Sequence, residues 1–157
     1  MWVSDMITLH IPGVARPKQS ARFMKGRVIP VEATNRLLKL WGMSVAQACR
    51  RALDAGAEPI PGAVCIDVQF FFPTTKAERW GKPHAQRPDI DNLTKGLYDY
   101  LKKNKILAGD DCTIAGGENL KIWARDGGTV LTIRPFGSQR TLEPDQDDDI
   151  GVAFTID

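Results

Sequence analysis

The pattern of apolar and polar residues predicts four main strands along the chain. The first covers Met6–Pro12, and the second covers Ala63–Phe72. The second is rich in β-branched and aromatic residues, so we expect it in the middle of a sheet. Two more strands are predicted at Glu118–Ala124 and Thr129–Pro135. The connection Asp126-Gly127-Gly128 is typical of a tight turn, so we expect these last two strands to form a hairpin.

Two segments repeat their apolar residues every three or four positions, which predicts amphipathic helices over Thr34–Ala55 and Pro88–Lys105. The predicted apolar face of the first helix consists of Leu37, Leu38, Trp41, Val45, Ala48, Ala52 and Leu53. That of the second consists of Leu93, Leu97, Tyr100 and Leu101. Strands and helices alternate along the chain. The predicted fold class is therefore α/β of the α+β type, with one mixed sheet and two main helices in a single domain.

Length and composition favour one domain followed by an acidic tail. A chain of 157 residues can bury a single core. No apolar run approaches the ~20 residues needed to span a bilayer, so we expect no membrane partner. A signal peptide is not expected either, which predicts a cytoplasmic protein. Residues 141–157 contain six acidic side chains and no Lys or Arg, so we divide the chain into a domain over residues 1–140 and an acidic tail over residues 141–157.

The charge of the predicted domain suits a polyanionic partner. Residues 1–140 hold all 21 basic residues and 13 of the 19 acidic ones, a net charge of +8. Five basic side chains crowd into residues 16–27, where Pro17, Ser20 and Gly26 predict a loop or a hairpin that could follow a phosphate backbone. The alternative is a solvated loop. Trp80, in the polar loop over residues 73–86, could stack on a base or simply pack against the domain.

The three cysteines predict neither a zinc site nor a disulfide framework. Cys49, Cys65 and Cys112 lie far apart, without a Cys-x-x-Cys pair or a nearby histidine. We expect reduced thiols, two of them in apolar surroundings.

The most informative segment is Arg-Pro-Asp-Ile-Asp-Asn-Leu-Thr-Lys over residues 87–95, at the start of the second helix. It contains Asp89, Asp91 and Lys95, and a second acidic pair, Asp110-Asp111, follows the helix. Mg²⁺ prefers carboxylate oxygens and keeps several waters, so two or three aspartates can hold it beside a phosphate. Lys95 shares a helix face with Asp91 and could stabilise negative charge in a phosphoryl transition state.

Each of these residues also has a structural interpretation. Asp89 or Asp91 could cap the helix, Asp91 and Lys95 could form a surface ion pair, and Asp110-Asp111 could form a polar turn. Other site classes fail on sequence. A calcium-binding EF-hand loop would need Gly at position 94 and Glu at position 100, where the chain has Thr94 and Tyr100. A phosphate-binding P-loop and a nucleophile elbow are also absent from the sequence.

Residues 87–95 resemble the Arg-x-Asp-x-Asp-Asn-Leu-x-Lys signature of the RusA family of Holliday junction resolvases. The resemblance continues into Leu-Ala-Gly-Asp-Asp over residues 107–111, and residues 16–22 and 26–30 also look like the start of that family. It covers residues 7–136 in all. Two features depart from the family pattern: Cys112-Thr113-Ile114, where a Gln and an aliphatic residue are usual, and the acidic tail.

The resemblance implies a homodimeric, metal-dependent endodeoxyribonuclease that resolves four-way DNA junctions by paired symmetric nicks in DNA recombination and repair. By motif position, Asp89, Asp91 and Asp111 take the metal-binding places and Lys95 the place of the catalytic lysine, while Asp110 ranks lower. Mg²⁺ is the expected cofactor, Mn²⁺ can substitute, and no small-molecule cofactor is expected. Many relatives are encoded by phages or prophages. The expected DNA contacts are Arg16, Lys18, Arg22, Lys25, Arg27, Lys76 and Arg87.

Three other functions stay open on the sequence. The chain could be a metal-dependent nuclease for other branched or duplex DNA, since nothing in it encodes four-way shape. It could be a DNA-binding protein of the same fold without catalysis, or an acidic-tailed adaptor. The intact set of aspartates with Lys95 argues against the non-catalytic protein, because DNA binding gains nothing from carboxylates that face phosphates.

Overall fold

A computed structural model of the chain describes residues 6–18, 22–29 and 36–138. Its helices are α1 (Arg36–Asp54) and α2 (Ile90–Lys103). Its strands are β1 (Ile7–Pro12), β2 (Arg22–Met24), β3 (Arg27–Ile29), β4 (Val64–Pro73), β5 (Ile114–Gly116), β6 (Asn119–Ala124) and β7 (Gly128–Pro135). Short 3₁₀ turns cover Ala77–Arg79 and Asp111–Thr113. The predicted acidic tail lies outside the described residues, and none of the described helices is long and apolar enough to cross a membrane.

The described residues form the predicted α+β fold, with a mixed five-stranded sheet and two helices. β4 lies inside this sheet, as its apolar sequence predicts. Along one edge it pairs with β7 in antiparallel fashion, and along the other it pairs in parallel with β5 and β6. β1 completes the sheet by pairing with β7. β2 and β3 form a separate antiparallel hairpin, which confirms the hairpin alternative for the basic segment.

The predicted hairpin between the last two strands is wrong. β6 and β7 flank β4 on opposite sides, so residues 125–127 connect strands that are not neighbours. The turn signal at these residues reverses the chain, but it does not choose the partner of either strand. β4 buries six of its ten side chains and takes the central position, whereas every residue of β6 is only half-buried. The most apolar strand is therefore inserted between the two that the turn connects.

Apolar side chains line up in rows across one face of the sheet. Cross-strand register creates the apolar rows Ile7–Ile133–Ile66 and Leu9–Leu131–Val68. A third row, Ile11–Thr129–Phe70, includes the buried polar residue Thr129. Both helices cover this face, because their buried residues belong to the same core cluster; α1 contributes Leu38, Trp41 and Val45, and α2 contributes Leu93, Leu97 and Leu101. Tyr100 packs edge-on against Trp41, with ring centroids 5.8 Å apart, and joins the two helices.

The buried face of α1 differs from the predicted one at Leu37 and at Cys49. Leu37 is 52 % exposed, so its assignment to the apolar face is wrong, whereas Cys49 is fully buried on that face. Burial raises the pKa of the Cys49 thiol to about 11. Cys65 is buried as well and Cys112 is exposed, and all three are free thiols, as the sequence predicts.

Candidate active site

The N-terminal end of α2 carries two carboxylates that have no partner among the described residues. Asp89 immediately precedes the helix in an extended conformation, and its side chain makes no capping hydrogen bond. Asp91 lies in the first turn. Both residues are exposed, and within the described chain neither carboxylate forms an ion pair with Lys95 or with another cation. The structural interpretations as a cap or a surface pair therefore find no support, and the carboxylate oxygens are available to a ligand.

The segment that leads into Asp89 is held against β6. The main-chain N–H of His84 donates to the Lys121 carbonyl over 2.9 Å, and the N–H of Trp123 donates to the Lys82 carbonyl over 2.9 Å. The Lys121 ammonium then donates to the carbonyls of Gln86 (2.6 Å) and Pro88 (2.8 Å). The Arg87–Pro88 peptide bond, between these two carbonyls, is cis.

His84, in the same segment, is buried beneath the site. Its ring is buried between Phe72 and Trp123, with centroid distances of 4.1 and 4.2 Å. Burial lowers its pKa, and the positive charge of Lys121 lowers it further. The imidazole is therefore part of the packing beneath the site.

The basic segment after β1 crosses α2 beside the two aspartates. The N–H of Lys18 donates to the Asn92 carbonyl over 3.1 Å, and the Lys18 ammonium pairs with Asp99 on the helix. Gly96 permits this close approach, because a Cβ at that position would lie 3.3 Å from the Lys18 nitrogen. The crossing brings basic residues to the same end of α2 as Asp89.

A groove of about 650 Å³ lies at this junction. Its walls come from the segment after β1, from α1, from the end of β4 and from the entry to α2; the polar and charged residues that line it are Arg16, Lys18, Arg87, Asp89 and Asn92. Three of the seven predicted DNA contacts therefore line one groove with a predicted metal ligand. An anionic strand in the groove would meet positive charge beside the Asp89 carboxylate.

The other predicted DNA contacts lie elsewhere. Lys25 and Arg27 are exposed in the β2–β3 hairpin, and Lys76 is exposed in the loop after β4. Arg22 belongs to β2, but its side chain lies outside the described part of the structure. Trp80, in the same loop as Lys76, is 39 % exposed, and its indole N–H donates to the Thr74 carbonyl over 2.8 Å. Its ring is thus anchored at one edge and partly open to solvent.

The second acidic pair lies at the C-terminal end of α2, where the Asp110 side chain forms bonds within the protein. Its carboxylate accepts the N–H of Asp111 over 2.7 Å and pairs with the Lys102 ammonium over 2.6 Å. The hydrogen bond from Lys102, followed by hydrogen bonding with Asp111, lowers the pKa of Asp110 to about 2. The polar-turn interpretation therefore fits Asp110.

Asp111 is not gathered with Asp89 and Asp91 in one chain. At 1.5 Å per residue, Lys102 lies about 16 Å along the α2 axis from Asp91. Lys102 pairs with Asp110, and Asp111 is the next residue in the chain. Accordingly, the described residues contain no group of three or more His, Cys, Asp or Glu side chains that could hold a metal ion. The structure brings Asp89, Asp91 and Lys95 to one end of the helix and leaves Asp111 at the other.

Sequence reasoning missed Lys121. Its ammonium contacts residues more than thirty positions earlier in the chain, and it contacts their carbonyls rather than their side chains. No local pattern in the sequence signals such a contact.

Comparison with known proteins gives a family and one relative. Residues 12–134 match the family model described as Endodeoxyribonuclease RusA. A crossover junction endodeoxyribonuclease, rusA of Lactococcus phage r1t, is 38% identical over 45 residues, which make up 29% of this chain and 34% of the phage protein. The chain thus spans about a third of the length of that relative.

Proposed function

The chain belongs to the RusA endodeoxyribonuclease family, and we propose that it resolves four-way DNA junctions by paired, metal-dependent nicks in DNA recombination and repair. The observation that carries the proposal is a pair of carboxylates, Asp89 and Asp91, that have no partner among the described residues. Asp89 lines the groove together with Arg16 and Arg87. The phage relative is a crossover junction endodeoxyribonuclease, which supports the choice of a four-way junction as substrate.

The side chains at the start of α2 fit a hard divalent cation. Mg²⁺ is commonly bound through one or two carboxylates together with substrate phosphates, and it keeps several waters. Asp89 and Asp91 offer such oxygens, since no described side chain occupies them. We propose that these two residues hold Mg²⁺, or Mn²⁺ in its place. The bound ion would polarise the scissile phosphate and lower the pKa of the attacking water.

The chain's own residues would bind the strand and balance its charge. Arg16 and Arg87 line the groove and are available to contact phosphate oxygens. Lys95 is exposed one turn after Asp91, where its ammonium can stabilise the extra negative charge of the transition state. Lys18 already pairs with Asp99, so its first role is to hold the basic segment across α2.

We propose that the active assembly is a homodimer. A four-way junction has two equivalent strands to cut, and a two-fold axis presents two equivalent sites to them. The distance between the ends of α2 supports the same assembly, because one chain does not gather Asp111 with Asp89 and Asp91. In the proposed dimer, the second copy supplies the Asp111 that completes each set of three carboxylates.

The test compares cleavage of an end-labelled four-way junction with cleavage of a linear duplex of matched sequence. Wild type and Asp91→Asn are assayed with Mg²⁺, with Mn²⁺ and with EDTA. We expect paired nicks on the junction alone, dependent on metal and lost in the variant, because the substitution removes a metal-binding charge. Junction binding should be kept or tightened. Equal cutting of both DNAs would refute junction specificity, and tight binding without cutting in any metal would favour the non-catalytic DNA-binding protein.

A further inference from the structure

We propose that Lys121 is a positioning residue for Asp89, and that it acts through the main chain of residues 86–88 rather than by touching DNA or metal. This inference rests on the proposed function, since it concerns the geometry of the same site. Lys121 lies on β6, outside the signature over residues 87–95.

The hydrogen bonds of Lys121 fix the peptide that precedes Asp89. Its ammonium donates to the Gln86 carbonyl over 2.6 Å and to the Pro88 carbonyl over 2.8 Å. The Pro88 carbonyl belongs to the peptide unit whose nitrogen is that of Asp89. Because a peptide unit is planar, holding its oxygen also holds the direction in which the Asp89 Cα leaves it. Charge-assisted hydrogen bonds are the stronger kind, so this restraint is a firm one.

Lys121 is itself well anchored, which a positioning residue requires. Its own strand pairs with β4 along Val68–Pro73. On the other edge of β6, main-chain bonds to residues 81–84 continue the ladder, including the bond from the His84 N–H to the Lys121 carbonyl. After His84 the segment leaves this ladder. The ammonium of Lys121 then reaches the residues that the main-chain ladder no longer holds, just before α2 begins.

The same geometry argues against a direct role for Lys121 on DNA. An ammonium has three donors, and two of them already point at carbonyl oxygens inside the protein. The residue is half-buried, whereas Arg87 between the two carbonyls is exposed and lines the groove. Lys121 therefore holds a segment whose exposed side chains, Arg87 and Asp89, face the substrate.

The test uses Lys121→Met, which keeps the length of the side chain and removes its donors, and Lys121→Arg, which keeps charge and donors. Lys82→Met is the matched control, because it removes an exposed lysine from the segment that pairs with β6. Each protein is assayed by Mn²⁺ binding in electron paramagnetic resonance, by single-turnover junction cleavage against Mg²⁺ concentration, and by junction affinity in EDTA.

We expect Lys121→Met to weaken Mn²⁺ binding and to slow cleavage at limiting Mg²⁺ by about 10- to 100-fold, the usual effect of losing a group that orients a metal ligand. Junction affinity in EDTA should stay within about threefold of wild type, because a phosphate contact is not removed. Lys121→Arg should recover part of both losses, and Lys82→Met should behave as wild type.

Amide hydrogen exchange of the metal-free protein separates this inference from the proposed function. Lys121→Met should speed exchange in residues 86–92 and leave β4 unchanged, whether or not the wild type cuts junctions. Normal exchange in residues 86–92 together with weaker junction binding would overturn the inference and make Lys121 a phosphate contact. Accelerated exchange throughout the sheet in both Lys121 variants would also overturn it, since Lys121 would then serve general stability. A wild type without metal-dependent cleavage would instead refute the proposed function.

Discussion

A pair of aspartates lies at each end of α2, and within the described residues the fold engages Asp110 at one end but neither Asp89 nor Asp91 at the other. At the C-terminal end, Asp110 caps a 3₁₀ turn and pairs with Lys102, and these bonds lower its pKa to about 2. At the N-terminal end, Asp89 occupies the capping position without making a capping bond, and Asp91 has no ion pair among the described residues. Motif position already ranks Asp110 below the other three aspartates, but the sequence does not show which carboxylates the fold engages.

The difference shows how carboxylates of structure can be told from carboxylates of function. A carboxylate that accepts hydrogen bonds from the protein contributes to folding, and those bonds occupy part of its accepting capacity. Carboxylates without protein partners gain nothing for the fold, and local rules left unmet in this way are expected at functional sites. Asp67 follows the structural pattern, since it accepts from Arg134 Nε and from the Glu118 N–H, each over 2.9 Å.

The largest effect is expected at Asp89, at the N-terminal end of α2. Asp89→Asn should lower single-turnover cleavage of a four-way junction by at least about 10²- to 10³-fold, as when a group that stabilises transition-state charge is removed. Its melting temperature should match that of wild type, because the Asp89 carboxylate makes no bond to another described residue. Asp54→Asn, at the exposed end of α1, is the control. Retained cleavage, or a large loss of stability, would break the distinction between the two ends.

The next largest effect is expected at Asp67, where substitution should lower stability and spare cleavage. The side chains of Asp67 and Arg134 are only 13% and 14% exposed. Asp67→Ala leaves the guanidinium without its carboxylate and should lower the free energy of unfolding by about 3 kcal/mol, the low end for one partner of a buried pair. Urea unfolding measures the loss, and Asp126→Ala, an exposed substitution, is the comparison. Cleavage at a temperature where the variant is folded should stay near the wild-type rate.

A smaller effect is expected at Lys95, where the test separates a role in catalysis from a role in DNA binding. Lys95→Ala should slow cleavage by about 10- to 100-fold, within the range of a single group in electrostatic or acid–base catalysis. Junction affinity should change much less, since Lys95 does not line the groove of Arg16 and Arg87. Parallel measurement of single-turnover rates and of binding in EDTA decides the point. Equal losses of binding and rate would reduce Lys95 to a phosphate contact.

The smallest effect is expected at Asp110, and it depends on pH. Its folded-state pKa of about 2 lies below the ordinary 3.8, so the unfolded chain binds the proton more readily. The stabilisation is fully present above about pH 4 and is lost as the pH falls towards 2. The melting temperature of Asp110→Asn should therefore lie slightly below that of wild type at pH 5 to 7, and the two should converge near pH 2. A constant gap across this range would contradict the assigned ion pair.

Periodicity predicts most of the elements because each element answers to its own residues. The helices and main strands fall within one or two residues of the predicted ranges wherever the chain is described. Partner choice among strands does not follow from local pattern. The turn after β6 is read correctly as a chain reversal, yet the hairpin fails because β4 competes for both neighbours. Leu37 fails for a related reason, since the helix alone does not specify where its partner surface ends.

The candidate site divides along the same line. Asp89, Asp91 and Lys95 stand within seven residues of one another, so a motif can propose them together. Lys121 meets the same site only through folding, by contacts with distant main-chain atoms. The sequence does not reveal the ion pair of Asp110 with Lys102 either. The lysines that end α2 suit a helix C-terminus in any case, and only the structure pairs Lys102 with Asp110.

The pairing of β1 with β7 has a consequence for how the chain is made. Ile7 lies opposite Ile133, so the first strand and the last strand of the described sheet are neighbours. During synthesis, β1 stays without its partner until the ribosome has released residues 128–135. β4 likewise meets all its partners after it has been translated. Contacts of such long sequence separation slow folding, so the sheet assembles only when nearly the whole domain has left the exit tunnel.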